Sequence, residues 1–379
     1  MEILFWISVF LVAYPFSIYP LLVLLLSLVR SRPVRRQEWE PTVTVLIPAY
    51  NEADCIAATV QNKLDQDYPR DKLQILVVSD GSSDGTDDIV RTFADRGVQL
   101  LRCELREGKA AALNEAITHA NGEVVVFSDA NSLFEKSAIR HMAENFFDPE
   151  VGYVTGALSY IAEGSTVSGS GAGAYIRYEN LLRRAETHLG SIIGVNGGVD
   201  AIRRKLYVDT PKQLITDFVL PLTVMAGGYR VVFDPSVTSR ETANTEIGSE
   251  FRMRVRVSLR ALQGLAYMKR LLNPWRYPLA SFCLISHKVL RYFAFFFMMI
   301  ALACNIGLAF TETLYRYLLV LHLSGYMLAC VGLSSGLPAW LHRLTVVPSY
   351  LLMSYAAFAA AVLKYLRGET MATWKPRAG

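Results

Sequence analysis

Three short acidic stretches hold the side chains best suited to chemistry: Pro48-Ala49-Tyr50-Asn51-Glu52, Asp80-Gly81-Ser82-Ser83-Asp84-Gly85-Thr86, and Asp129-Ala130-Asn131. Each opens where a β-branched or aliphatic run ends, at residues 42–47, 75–79 and 124–128, and each leads into a helix-like segment. This alternation predicts that all three emerge on one edge of a parallel sheet, the edge at which open α/β sheets bind ligands. Carboxylates gathered there, beside glycine turns that bring backbone N–H groups forward, suit a nucleotide whose phosphates are held through a divalent cation.

The elements that must position these groups alternate by type: strands at 42–47, 74–79, 98–102 and 124–128, helices at 53–65, 87–96 and 109–120. Such βαβ alternation predicts a parallel sheet covered by helices on both faces. Further on come a Gly/Ser-rich loop at 164–173, expected to move, and a charged helix near 175–189. Gly197 and Gly198 permit either close backbone approach to a ligand or a plain tight turn. In a helix over 251–271, Arg252, Arg256 and Arg260 share one stripe and Arg254 points away from it. Like charges four apart repel, so the stripe implies an anionic partner. That partner is either a diphosphate or a lipid surface, with Leu259, Leu262 and Leu265 then lying in the interface.

With 379 residues, 52% of them hydrophobic, and a mean hydropathy of +0.27, the chain is too oily to be wholly soluble. Residues 4–29 form one apolar run, enough at about 1.5 Å per residue to cross a hydrocarbon core of about 30 Å, with Pro15 and Pro20 as possible kinks. Arg30, Arg32, Arg35 and Arg36 follow it, which sets the N-terminus outside and the next domain in the cytoplasm, and argues against a cleaved signal peptide. Three more spans fit residues 293–310, 314–333 and 344–363. Three crossings would leave the basic tail outside, against the charge bias. Gly325, Gly332, Gly336 and Pro338 offer a break that would make the middle run re-entrant and bring the tail back inside. Five cysteines, odd in number and without metal spacing, suggest free thiols in a reducing compartment. The net charge of +4 is small, and its basic residues cluster beside the apolar runs, where anionic headgroups attract them; nucleic acid is not an expected partner. No pair among the six histidines has metal-ligand spacing.

The three acidic stretches, taken in order with Gly108-Lys109-Ala110-Ala111-Ala112-Leu113-Asn114 and Thr216-Asp217, resemble the membrane-embedded family 2 glycosyltransferases, among them the hyaluronan, cellulose and poly-N-acetylglucosamine synthases. The resemblance runs over residues 41–264. It implies an α/β, GT-A-like (Rossmann-like), mostly parallel sheet domain inserted between transmembrane helices. The expected divisions are a span at 1–30, the cytoplasmic transferase domain at 39–249, interfacial helices at 250–290, spans at 291–366 and a tail at 367–379. The implied activity is inverting transfer of a sugar from a nucleoside diphosphate sugar, most readily a UDP-sugar, to a growing polysaccharide or a lipid-linked acceptor at the inner membrane. Single addition to a lipid and a catalytically inactive scaffold are the competing readings.

By the same resemblance, Tyr50 and Glu52 sit beside the base, Asp80 contacts it, and Lys109 lies near the nucleotide. Taken alone, Tyr50 and Glu52 read as a strand-to-helix turn with a helix-start acid. Asp84-Gly85-Thr86 shapes its loop and starts the next helix. Asp129 and Asn131 occupy an Asp-x-Asp metal motif for Mg2+ or Mn2+, with Asn131 in place of the second acid and therefore a weaker protein share of the ligation. Asp217 is assigned the general base, with a helix cap as the structural alternative. Gly197, Gly198, Arg252 and Arg260 are candidates for the diphosphate or acceptor. Arg256 matches the arginine of the Gln-x-x-Arg-Trp motif of polymerising relatives. Val257 replaces its tryptophan, which weakens any expectation of processive polymerisation. Thr373-Trp374-Lys375-Pro376 reads as an interfacial anchor.

Overall fold

A computed structural model of the chain describes residues 1–161, 167–242, 247–334 and 337–370. The apolar run near the N-terminus forms two helices, α1 (Glu2–Ala13) and α2 (Ile18–Val29), bent by 55° at their junction. Pro15 lies in the break, where a ring without an N–H cannot continue the hydrogen-bond ladder. The run expected to span at 4–29 is thus bent, and the two helices taken together remain long and apolar enough for one broken span or a re-entrant pair. Each half has 12 residues, about 18 Å long and shorter than a hydrocarbon core. Phe5 of α1 packs among Ala301, Leu308 and Tyr315, whereas Tyr19 and Val23 of α2 pack on Leu182, Ala185 and Leu189 of the sheet domain.

That domain follows the predicted alternation closely. Its first half runs β1 (Val43–Ala49), α3 (Ala53–Leu64), β2 (Leu73–Asp80), α4 (Thr86–Arg91), β3 (Val98–Cys103), α5 (Lys109–Ile117) and β4 (Val124–Ser128). There follow β5 (Leu133–Phe134), α6 (Ala138–Asn145), β6 (Val151–Ile161), α7 (Val167–Leu189), β7 (Val199–Arg203), α8 (Thr216–Ala226) and β8 (Arg230–Thr242). The strands lie in the order β3-β2-β1-β4-β7-β6-β8-β5. β1 and β4 are central and buried on both faces, as their unbroken Val/Leu/Ile/Phe runs require. Val45, Ile47 and Val126 meet Ile56 and Val60 of α3 and Met142 of α6; Leu46, Val125 and Phe127 meet Leu113 of α5 and Leu222 of α8.

The sheet is more mixed than expected. Pairs β1/β2, β1/β4, β2/β3 and β6/β8 are parallel, but β7 runs antiparallel to both β4 and β6, and β5 antiparallel to β8. Reversing β7 brings the 195–198 turn to the same edge as the C-terminal ends of β1, β2 and β4. The expected mobile loop at 164–173 is also revised: part of it lies outside the described residues, and from Val167 the chain is helical.

Beyond β8 come α9 (Ile247–Tyr267), α10 (Pro278–Leu284), a π-helical turn at Ile285–Val289, α11 (Leu290–Ala309), α12 (Thr313–Val331) and α13 (Ala339–Leu366). The runs Pro278–Ala309, Thr313–Val331 and Ala339–Leu366 are long and apolar enough to cross a membrane. α12 continues unbroken through Gly325, so no re-entrant break occurs within it. Leu259 and Leu262 are buried against Ala357, Phe358 and Ala361 of α13, and Leu265 joins the core beneath α8, so the three leucines do not form a lipid-facing row. After α13, the backbone carbonyl of Glu369 accepts a hydrogen bond from Gln263 Nε2 of α9 at 3.1 Å. The Trp374 segment lies outside the described residues. All five cysteines are free.

Candidate active site

Asp129 directly follows β4 and Asp217 lies in the first turn of α8, 88 residues apart in the chain, and both face one ammonium. Lys109, the first residue of α5, places Nζ 2.6 Å from Asp129 Oδ1 and 3.6 Å from Asp217 Oδ2. Burial works against the lysine's charge, but Asp129 and Asp217 outweigh it and hold the ammonium well above the ordinary lysine range. The side chains are 23% (Lys109), 33% (Asp129) and 26% (Asp217) exposed, so the group opens to a shared cleft.

The glycine turn closes one wall. A Cβ on Gly197 would collide with Asp217 Oδ2 and lie 2.8 Å from its Cγ. One on Gly198, whose φ is +84°, would lie 3.0 Å from Asp129 Oδ2. Close backbone approach is therefore what these two residues provide. Asn196 fixes the turn through its N–H to Thr155 Oγ1 (3.0 Å) and its Nδ2 to the Gly156 carbonyl (2.8 Å).

Helix α3 holds the acidic turn from behind. Thr59 Oγ1 donates to the Ala130 carbonyl at 2.6 Å, and buried Lys63 donates to that of Ser132 at 2.6 Å. The other two motifs are laced together: Glu52 N donates to Thr86 Oγ1 (2.9 Å), Ala53 N to Asp84 Oδ2 (3.0 Å) and Asn51 N to Ser82 Oγ (3.1 Å). Asp84 and Thr86 thus shape the loop as expected. Asp80 is buried and accepts the N–H groups of Glu107 and Gly108, each at 2.9 Å. In doing so it sets the entry to α5 and the position of Lys109. Burial raises its carboxyl above the usual range despite those two donors.

Two groups here were not singled out from sequence. The Arg106 guanidinium lies 3.6 Å from the centre of the Tyr50 ring, giving that aromatic platform a cationic cover. Asp200, on β7 opposite Phe127 of β4 and Thr155 of β6, is fully buried beside Tyr153 and Thr155, and neither of its oxygens has a hydrogen-bond partner in good geometry among the described residues. Burial, then the charge of Asp217, pushes its carboxyl well up. The available signal was an acid at an inward position of an otherwise apolar strand, Val199-Asp200-Ala201-Ile202.

A raised carboxyl pKa means that the folded protein holds this proton more tightly than the unfolded chain. The folded state therefore loses stability as pH climbs from about 3.9 through the folded value. Asp200→Asn, which cannot ionise, is expected to match the wild-type melting temperature near pH 4 and to exceed it increasingly toward pH 8. Thermal unfolding across that range checks this; a gap independent of pH would contradict it.

The arginine stripe divides. Arg260 donates to the backbone carbonyls of Gln213 and Leu214, bracing the loop that enters α8. It is thus a support for Asp217 and not a free anion ligand. Arg252 is exposed, and Arg256 lies one turn before Arg260 on the same helix. Arg254, as expected, faces elsewhere, 4.2 Å from the Tyr350 ring centre of α13.

As for a divalent cation, no group of three His, Cys, Asp or Glu among the described residues could hold one unaided. Asp129 and Asn131 on a tight turn, with Gly198 leaving room against the carboxylate, fit an ion that takes its remaining ligands from phosphates and water.

This sheet, with its acidic turn after β4 and its carboxylate at the head of α8, has the GT-A arrangement. Residues 44–207 match the family described as Glycosyl transferase family 2. The chain is 28% identical over 221 residues to the poly-beta-1,6-N-acetyl-D-glucosamine synthase of Staphylococcus aureus (strain MSSA476), covering 56% of this chain and 53% of that protein. It is 31% identical over 217 residues to the probable glycosyltransferase YdaM of Bacillus subtilis (strain 168), covering 53% and 50%. The chain thus spans about half the length of these curated relatives. Among solved structures it is similar to the mannosyltransferase PcManGT from Pyrobaculum calidifontis in complex with GDP-Man and Mn2+. That likeness has a TM-score of 0.73 and 26% identity, covering 97% of this chain and 99% of that one.

Proposed function

We propose that this protein transfers a sugar, with inversion, from a nucleoside diphosphate sugar to a hydroxyl of a membrane-associated acceptor at the cytoplasmic face of the cell membrane. The observation that carries the reading is the sharing of the Lys109 ammonium between Asp129 and Asp217. Asp217 takes the proton of the acceptor hydroxyl as that oxygen bonds to the anomeric carbon; the bond from this carbon to the diphosphate oxygen breaks, and the nucleoside diphosphate leaves with the electron pair. Lys109 sets a positive charge where the diphosphate would otherwise meet two carboxylates, a repulsion of a few kcal/mol per pair at about 4 Å and an effective dielectric near 20. Mg2+ or Mn2+, held by Asp129 and Asn131, would neutralise the leaving diphosphate. Tyr50, Glu52 and Asp80 form the base side of the donor site, and Gly197 and Gly198 the wall facing the reacting atoms.

Motif resemblance favours a UDP-sugar. The likeness along nearly the whole chain to a mannosyltransferase bound to GDP-Man favours GDP-mannose. Val257, in place of an acceptor-platform tryptophan, favours single addition over polymerisation. Membranes containing the protein should therefore be incubated with labelled UDP-N-acetylglucosamine, UDP-glucose and GDP-mannose, with Mg2+ or Mn2+. Release of one nucleotide with label in the lipid extract is expected. Absence of release with every donor and both metals would defeat the reading and leave an inactive scaffold.

A further inference from the structure

One residue of the Gly108–Asn114 motif, Asn114 itself, has no part in the transfer described above. It is half-buried on α5, five residues and about 7.5 Å of helix axis beyond Lys109. Its side chain makes three hydrogen bonds to one segment. Oδ1 accepts from Tyr207 OH at 2.8 Å and from Thr210 N–H at 3.1 Å, and Nδ2 donates to the Thr210 carbonyl at 3.0 Å. Pairing with both backbone groups of Thr210 takes a donor and an acceptor on one side chain, which an amide supplies. Residues 207–215 form no helix or strand of their own, so side chains must fix that backbone. Further along the same segment, Lys212 pairs with Glu107, two residues before Lys109, and Arg260 takes the carbonyls of Gln213 and Leu214. The segment leads directly into Thr216 and Asp217, the first residues of α8.

We propose that Asn114 is a positioning residue for the transfer: it ties the segment that delivers Asp217 to the same helix whose first residue, Lys109, faces the donor. The inference rests on the transferase reading above and adds the residue that sets the spacing of its two working groups. α5 serves as a rigid spacer. Its head meets Asp129 and Asp217 through Lys109, and Asn114 anchors Thr210, seven residues ahead of Asp217. With that anchor cut, the segment keeps its ties at Lys212 and Arg260 but loses the one that fixes its backbone to the body of α5. A reacting group displaced by about 1 Å loses on the order of a hundredfold in rate. Lys109 itself is held from elsewhere, because Asp80 accepts the N–H groups of Glu107 and Gly108 and so sets the entry to α5. Loss of Asn114 should therefore reach Asp217 and spare the donor side of the cleft.

Turnover of the full chain in membranes is measured at saturating donor, using whichever of UDP-N-acetylglucosamine, UDP-glucose and GDP-mannose the wild type consumes. Equilibrium binding of UDP and GDP in Mn2+ is measured on the purified full chain. Asn114→Ala is expected to lower kcat by about ten- to a hundredfold while nucleotide affinity stays within about twofold. Tyr207→Phe removes one of the three hydrogen bonds and leaves Asn114 in place. It should lower kcat by about two- to tenfold, the loss typical of one neutral hydrogen bond, and it carries the test if Asn114→Ala does not fold. Unchanged turnover in Asn114→Ala, or in Tyr207→Phe where that is the variant that folds, would overturn the proposal. So would a loss of nucleotide affinity as large as the loss of turnover, which would make Asn114 a plain support of α5. No nucleotide release by the wild type from any of the three donors would bring down the transferase reading itself, a result distinct from the other two.

Discussion

Asp217→Asn is expected to lower turnover at least about a hundredfold while leaving donor affinity within a few-fold of wild type. The amide keeps the size of the side chain at the head of α8 and loses only the basic oxygen. Lys109 keeps its shorter contact, to Asp129 at 2.6 Å, so the donor side of the cleft retains its cation. Steady-state kinetics with saturating donor, together with nucleotide binding at equilibrium, separate the two effects. Unchanged turnover would remove Asp217 from the chemistry and return it to the role of helix-start acid.

A comparable loss is expected from Gly197→Ala, through geometry and not charge. The added methyl cannot coexist with Asp217 where it stands, so either the carboxylate or the turn must move. Displacing a reacting group by about 1 Å costs on the order of a hundredfold in rate. The turn lies at the sheet edge, so the fold should survive with a melting temperature lowered by only a few degrees, as expected of a strained surface turn. Turnover and thermal unfolding measured on the same preparation test this; near-normal activity would mean that the 195–198 turn is a plain connection.

Much of this arrangement was legible in the residues. Strands β1 to β4 and the helices between them announce themselves by period, and their ends fall within a few residues of the predicted ones because each is bounded by a glycine or acidic turn. The convergence of Asp129, Lys109 and Asp217 could be anticipated only from the ordered motifs, since nothing local in Leu214-Ile215-Thr216-Asp217 separates a helix-start acid from a base. What stayed hidden was tertiary. The direction of β7 carries no periodic signature, because a buried strand reads alike in either direction. Leu259 and Leu262 have the spacing of a lipid-facing row and are covered by α13 instead. Arg106 is a single loop residue, visible as a partner of Tyr50 only once two loops are folded together. Pro15 marked the break between α1 and α2, yet a kink in one long helix and two helices with different partners look the same along the sequence.

The hydrogen bond between Gln263 and Glu369 also bears on parity. Were the apolar helices to meet a bilayer, a polypeptide that departs from the sheet domain through α11 and is back beside α9 by residue 369 would cross it an even number of times. One of the three apolar helices would then stay on the side where it began. α13, whose residues Tyr350, Ser354 and Phe358 touch α9 or the domain end of α11, would be that helix, a brace laid along the flank of the sheet domain.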